Sequence, residues 1–161
     1  MAKVNIMIIF LIGFMGCGKS YWAKELAQYL NYKHIDSDNE ISQQQNLSIK
    51  EIFETKGENY FRQLEKKWLN DFDSENSVVA VGGGLPIYNN NMEVLLNKGK
   101  VFWIDEPFGV IYERIKNDEN RPLLRKSKDE LEKLLEDRTA IYAKAIKIPS
   151  PKSVEDFLNN L

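Results

Sequence analysis

The chain has 161 residues, 22 Lys+Arg against 24 Asp+Glu, a net charge of −2, one Cys and one His. That length, with 43% apolar and 29% charged residues, predicts one globular domain with a real core rather than a disordered chain. The counts exclude an internal disulfide and a cysteine zinc site. They leave only His34 for any histidine-dependent catalysis, and they give no bulk pull toward nucleic acid or an anionic membrane.

The elements alternate. The apolar run up to Met15 is too short to span a membrane, which takes about 20 residues. No small-residue cleavage site follows it, so it reads as a buried parallel strand over residues 4–12 rather than a signal peptide. A helix over 20–30 follows, with Trp22, Leu26 and Leu30 four apart. A second strand covers 33–36 and ends in Asp36-Ser37-Asp38. Only helices come next. One opens at the capping box Ser48-Ile49-Lys50-Glu51 and stops at Gly57, and one runs over 60–72 with Phe61, Leu64, Trp68 and Phe72 on a stripe. Strand 77–81 closes on Gly82-Gly83-Gly84. A helix over 92–97, a strand over 100–104 and a helix over 108–117 follow. Residues 118–127 are polar and basic, a loop or lid. Ser127-Lys128-Asp129-Glu130 caps a helix reaching Tyr142, a short strand lies at 145–148, and Ser153 caps a last helix. Strands alternating with helices predict a parallel sheet covered on both faces, with ligands at the carboxyl ends of its strands.

Gly13-Phe14-Met15-Gly16-Cys17-Gly18-Lys19-Ser20 matches G-x-x-x-x-G-K-[ST] in full, between a predicted strand and a predicted helix. Glycines let successive N–H groups turn inward around phosphate oxygens, and the helix adds its positive N-terminus. Lys19 then reaches the β- and γ-phosphates, and the Ser20 hydroxyl holds Mg²⁺. Cys17 contributes its backbone, or less simply a catalytic thiol. The motif specifies ATP or GTP with Mg²⁺ but not the acceptor.

Asp36 and Asp38 can divide two tasks, one holding Mg²⁺ through water and one taking a proton from an attacking hydroxyl; alternatively Asp38 is a helix N-cap. Arg62 can pair with Glu58 on the surface. Glu65, however, falls inside the apolar stripe of its helix, three residues from Arg62, and Arg138 falls inside the stripe of Leu131, Leu134 or Leu135, and Ile141 or Tyr142. Buried charges want partners, so Arg138 calls for a carboxylate or phosphate, an internal ion pair or a snorkelling stem. The three glycines allow close approach of a ligand or simply a tight turn. Arg121-Pro122-Leu123-Leu124-Arg125 is a phosphate-facing lid or a solvated loop.

These pieces together resemble shikimate kinase, in order and over nearly the whole chain. The resemblance rests on the phosphate loop, Asp36-Ser37-Asp38 and Ile52-Phe53. It extends to Gly57-Glu58 with Phe61-Arg62, Glu65, Gly82-Gly83-Gly84, Arg121-Pro122-Leu123-Leu124, and Arg138 with Tyr142. It implies an α/β fold of nucleoside-monophosphate-kinase type, a three-layer sandwich on a five-stranded parallel sheet in the order 2-3-1-4-5. It implies one kinase domain over 1–161, with a shikimate-binding helical insertion at about 37–66 and a lid at about 116–128. The activity implied is transfer of the ATP γ-phosphoryl group to the 3-hydroxyl of shikimate, with Mg²⁺, by a cytoplasmic monomer of the aromatic amino-acid pathway.

The same resemblance distributes the roles. Asp38 binds the hydroxyl as base or orienter, and Asp36 joins Ser20 at the Mg²⁺ shell. Arg62 and Arg138 clamp the carboxylate, the Gly83 backbone holds a ring hydroxyl, and Glu65, Gly82 and Gly84 complete that site. Gly16, Cys17, Gly18, Lys19, Ser20 and Tyr21 bind ATP, Arg114 packs near the adenine, and Arg121 closes over the phosphates. The chain departs from the family at Ala140, where a Pro is usual, and at Tyr21, where a small hydroxyl residue is usual. It also departs in a short 144–153 segment and in having no Arg after Arg138. Only five of the 22 basic residues are Arg, and four of those five have a place in this scheme; Arg125 has none.

Overall fold

The computed structural model describes residues 7–161. The first strand, β1 (Ile8–Ile12), is the centre of the sheet, so residues 4–6 of the expected strand lie outside the described residues. β1 pairs on one side with β3 (Ser77–Ala80) and on the other with β4 (Lys100–Asp105), both parallel, with Ile9 opposite Val78 and Lys100. β2 (Lys33–Asp36) extends the β3 edge and β5 (Ile146–Pro149) the β4 edge, giving the order β2-β3-β1-β4-β5. Ile9 to Ile12 are fully buried because helices cover both faces, which is why β1 is a continuous apolar run and not an alternating one.

α1 (Lys19–Leu30) buries Ala23, Leu26 and Ala27; Trp22 and Leu30 sit half-buried at its rim. α2 (Ser37–Gln45), α3 (Ile49–Lys56) and α4 (Glu58–Asp71) form the helical stretch between β2 and β3. α3 opens on a complete capping box: Glu51 N–H donates to Ser48 Oγ at 3.1 Å and Ser48 N–H to Glu51 Oε2 at 2.7 Å. Gly57, at φ 87°, ends α3 and starts α4 in a single residue. α4 therefore begins at Glu58, two residues before the expected start, and Phe72 follows its end in extended backbone.

α5 (Asn91–Lys98), α6 (Phe108–Ile115) and α7 (Lys128–Tyr142) follow, and α7 opens on the second capping box, Ser127 with Glu130. Residues 118–127 carry one short 3₁₀ turn, Pro122–Arg125. Ser153 does not cap the last helix, α8 (Glu155–Leu158), with its side chain. Instead the Asp156 carboxylate reaches back and accepts from the Lys152 and Ser153 amides, at 2.7 and 3.1 Å.

Candidate active site

The loops after β1, β2 and β3 open on the same end of the sheet, and a cleft of about 730 Å³ lies there. The phosphate loop forms its floor. Gly16 and Gly18 take φ of 77° and 101°, a region side chains rarely enter, and at Gly16 a Cβ would also collide with Ile115. Gly18 starts α1 with no side chain capping it and no acid in the first turn, so the helix's leading N–H groups stay available to an anion. Lys19 Nζ donates to the Gly13 and Phe14 carbonyls at 2.8 and 2.9 Å, which sets its charge at the mouth of the loop.

Gly16, Gly18, Lys19, Ser20 and Tyr21 all line the cleft, Tyr21 with 59% of its surface exposed. Cys17 does not. Its Sγ is buried beneath the loop, and that burial pushes the thiol above its ordinary value, which removes the nucleophile reading.

Asp36-Ser37-Asp38 splits into three roles. Asp36, still in extended backbone, caps α2 by accepting from Asn39 N–H at 3.1 Å, and its other oxygen accepts from Ser20 Oγ at 3.1 Å. The cap therefore falls on Asp36 and not on Asp38, which is already inside the first turn. Ser37, fully buried, accepts from Gly82 N–H at 2.9 Å and so ties the end of β2 to the glycine turn. Asp38 faces the cleft, and its Oδ1 is shut off from solvent with no hydrogen-bond partner among the described residues. Burial, and then the Asp36 charge, push its carboxyl up to about 6, against Lys19, Arg62 and Arg121.

The glycine turn needs glycine for room, since none of its three residues has positive φ. A Cβ on Gly82 would fall 2.6 Å from Asp38 Oδ1 and one on Gly84 2.5 and 2.7 Å from the two terminal nitrogens of Arg62, while one on Gly83 would crowd the Gly13 carbonyl oxygen at 3.3 Å and meet Arg138 Nη1 at an ordinary 3.6 Å. The turn is thus wedged between a carboxylate and two guanidinium forks.

Glu65 is 1% exposed, as its place on the α4 stripe requires; Arg62, which that stripe does not include, is 6% exposed all the same. Arg62 donates from Nη1 to Glu65 at 2.8 Å, and from Nε and Nη2 to Glu58 Oε1 at 3.3 and 3.1 Å. The surface pair with Glu58 therefore exists alongside the buried one. Burial alone would lower the Arg62 value, but Glu65 and Glu58 outweigh it and hold it above normal. Burial pushes Glu65 up to about 7 despite Arg62. Arg138, 3% exposed on α7, makes no ion pair among the described residues, and its Nε has no hydrogen-bond partner. Its charge is felt by Glu65, but with no ion pair of its own this desolvated cation at the cleft wall is suited to an anion.

Arg114 donates to the Gly16 carbonyl at 3.0 Å and lies 3.8 Å from Glu106; Arg121 is held by Asp118 at 2.7 Å. Both line the cleft, and Pro151 rather than Pro149 reaches it from the short segment after β5. Arg125 instead bridges to Glu54 on α3, at 3.0 Å. So four of the five arginines meet in one cleft, while no lysine among the described residues is buried. His34 is exposed on the edge strand, away from it.

Sequence reasoning missed Ser37, which lay in plain view between two acids, and the hydroxyl of Tyr142, which donates to the Gly83 carbonyl at 2.6 Å.

A phosphate loop facing an unpartnered carboxylate across one cleft, on a parallel sheet of this strand order, defines a P-loop kinase of small molecules. The sequence model of the family described as shikimate kinase matches residues 15–156. The shikimate kinase of Persephonella marina is 46% identical over 138 residues, covering 85% of this chain and 84% of that one. The structure of the Acinetobacter baumannii shikimate kinase in complex with shikimate matches at TM-score 0.88 and 33% identity, over 97% of this chain and 90% of the other. That of the Aquifex aeolicus shikimate kinase matches at 0.82 and 40%, over 96% and 93%. The chain belongs to the shikimate kinase family.

Proposed function

We propose that this protein transfers the γ-phosphoryl group of ATP to the 3-hydroxyl of shikimate, giving shikimate 3-phosphate for aromatic amino-acid biosynthesis. The observation that carries the reading is the pair of buried arginine forks flanking a glycine turn, with Asp38 unpartnered beside them. A carboxylate on a polyhydroxylated ring fits that arrangement, since Arg62 and Arg138 would clamp the acid while a ring hydroxyl meets Asp38.

The roles follow from position. Asp38 takes the proton of the attacking hydroxyl; a carboxyl near 6 is ionised at neutral pH and still basic enough to help. Lys19 and Arg121 stabilise charge on the transferring phosphoryl group, which is most of what catalysis requires here. Gly16, Gly18, Ser20 and Tyr21 offer backbone N–H groups to the phosphates, Cys17 shapes the same loop with its N–H on the Phe14 carbonyl at 3.2 Å, and Arg114 borders the nucleotide. Tyr142 takes up the Gly83 carbonyl, so the Gly83 N–H is what that backbone has left for a ring hydroxyl. Glu65, Gly82 and Gly84 shape the acceptor site.

The donor set suits Mg²⁺. It needs few protein ligands when phosphates and water supply the rest, and Ser20 Oγ and Asp36 Oδ2 already meet at 3.1 Å. When bound with ATP, it neutralises charge on the β- and γ-phosphates.

One kinase domain, with a shikimate-binding insertion at about 37–66 and a lid at about 116–128, accounts for the layout. No helix of the described residues is long and apolar enough to cross a membrane, and the net charge of −2 gives no bulk pull toward nucleic acid or an anionic membrane.

A coupled assay of ADP release tests this. Release should depend on shikimate and be absent with other hydroxy acids and nucleoside monophosphates. Release no faster with shikimate than without it overturns the proposal.

A further inference from the structure

Arg62 has five N–H donors, and three are committed: Nε and one on Nη2 to Glu58, one on Nη1 to Glu65. One N–H remains on each terminal nitrogen, the pair a carboxylate accepts end-on. Whether that pair faces the cleft depends on what fixes the plane of the fork. Two carboxylates hold its edges. They do not stop it tilting about the line that joins them.

A third group does. Tyr88 follows the short 3₁₀ turn Leu85–Ile87, and its ring centroid lies 4.3 Å from Arg62 Cζ, nearer than Phe61 at 5.3 Å or Phe53 at 5.9 Å. Its hydroxyl donates at 3.2 Å to Glu58 Oε1, the same oxygen that holds Arg62 Nε and Nη2. Tyr88 is not itself among the residues lining the cleft. One residue therefore covers a face of the guanidinium and also braces its partner, from outside the site.

We infer that Tyr88 is a positioning residue for the acceptor carboxylate, acting through the tilt of the Arg62 fork. This rests on the reading of Arg62 as a shikimate clamp. A guanidinium stacked on an aromatic face keeps its in-plane N–H groups free, so the stack orients without competing. The effect belongs in the KM for shikimate, because ATP and the phosphoryl group lie against the phosphate loop and lid.

The test uses Tyr88→Leu, which keeps bulk but lacks ring and hydroxyl, and Tyr88→Phe, which keeps the ring. Thermal melting checks that both fold. Tyr88→Leu should raise the KM for shikimate about 3- to 10-fold, with kcat and the KM for ATP within about 2-fold of wild type. Tyr88→Phe should restore the KM to within about 2-fold. In an Arg62→Lys background the Tyr88→Leu effect should shrink to under about 2-fold, because the planar fork it orients is gone.

An unchanged shikimate KM in Tyr88→Leu overturns the inference. So does an equal effect with Arg62→Lys, an equal rise in the KM for ATP, or a Tyr88→Phe as weak as Tyr88→Leu. Wild-type protein without shikimate-dependent turnover overturns instead the function on which it rests. Should Tyr88→Leu fail to fold, Tyr88→Phe and Tyr88→Trp carry the test, with both required to stay near the wild-type KM and the cycle with Arg62→Lys repeated on Tyr88→His.

Discussion

Asp38 Oδ1 and the α-carbon of Gly82 are packed so closely that a methyl on Gly82 would stand 2.6 Å from that oxygen and 3.3 Å from Glu65 Oε1. The two acids and the turn therefore share one small volume, and the residue that leaves room for the carboxylate lies 44 positions away in the chain.

Gly82→Ala should accordingly displace Asp38 without straining the backbone, whose φ there is ordinary. Misplacing a reacting group by about 1 Å can cost about 10²-fold. We expect kcat with shikimate to fall by about that factor while ATP binding, measured by calorimetry, stays within about 2-fold. Wild-type turnover in Gly82→Ala would mean the Asp38 position is not critical.

Asp38→Asn should lose activity and gain stability. As general base, the carboxylate is worth about 10²–10⁴ in kcat. Its raised value also means that ionising it in the fold costs free energy. The shift from 3.8 to about 6 sets a ceiling near 3 kcal/mol, so about 1–3 kcal/mol of stabilisation is expected at pH 8. Denaturant melts of both proteins at pH 8 measure this; equal midpoints would show that the carboxylate is not strained.

Activity and stability should slope in opposite directions with pH. For Asp38 and Glu65 the folded values, about 6 and about 7, lie above the ordinary ones. Their protonated forms favour the fold. That stability is complete below about pH 4 and is lost as pH rises through about 6 to 7. The kcat/KM for shikimate should rise across the same window as Asp38 becomes a base and Glu65 a full partner of Arg62, the two titrating as a coupled pair. A kcat/KM that is flat between pH 5 and 8 would contradict this.

Arg62→Lys should weaken shikimate by about 1.5–3 kcal/mol, roughly 10- to 150-fold in Kd, because an ammonium cannot hold Glu58, Glu65 and an incoming carboxylate in one plane. Calorimetric titration reads it directly. An unchanged Kd would leave Arg62 as the Glu58–Glu65 ion pair and nothing more.

Much of this was legible beforehand. The apolar runs and 3.6-residue stripes predicted the sheet and most helices, and both capping boxes formed as their spacing required. The sharpest signals were violations. Glu65 and Arg138 lie on apolar stripes, and both proved buried at the cleft. Where expectation failed, local pattern was ambiguous or silent: Asp36 and Asp38 compete for one cap, Ser153 yields to Asp156, and Gly57 serves two helices at once.

By itself, then, the sequence determined whatever depends on neighbours along the chain. This covers helix and strand periods, caps, the phosphate loop, and which charges would be forced inward. The family resemblance had already gathered Asp38, Arg62, Arg138 and the three glycines into one site; only the tertiary structure decided how closely the turn packs on those side chains, that Tyr88 lies on Arg62, and that Arg125 holds Glu54. The reason is physical. Local geometry is set by bond rotations over a few residues, whereas these contacts depend on how a twisted sheet brings the ends of separate strands and helices to one place, and no spacing along the chain encodes that directly.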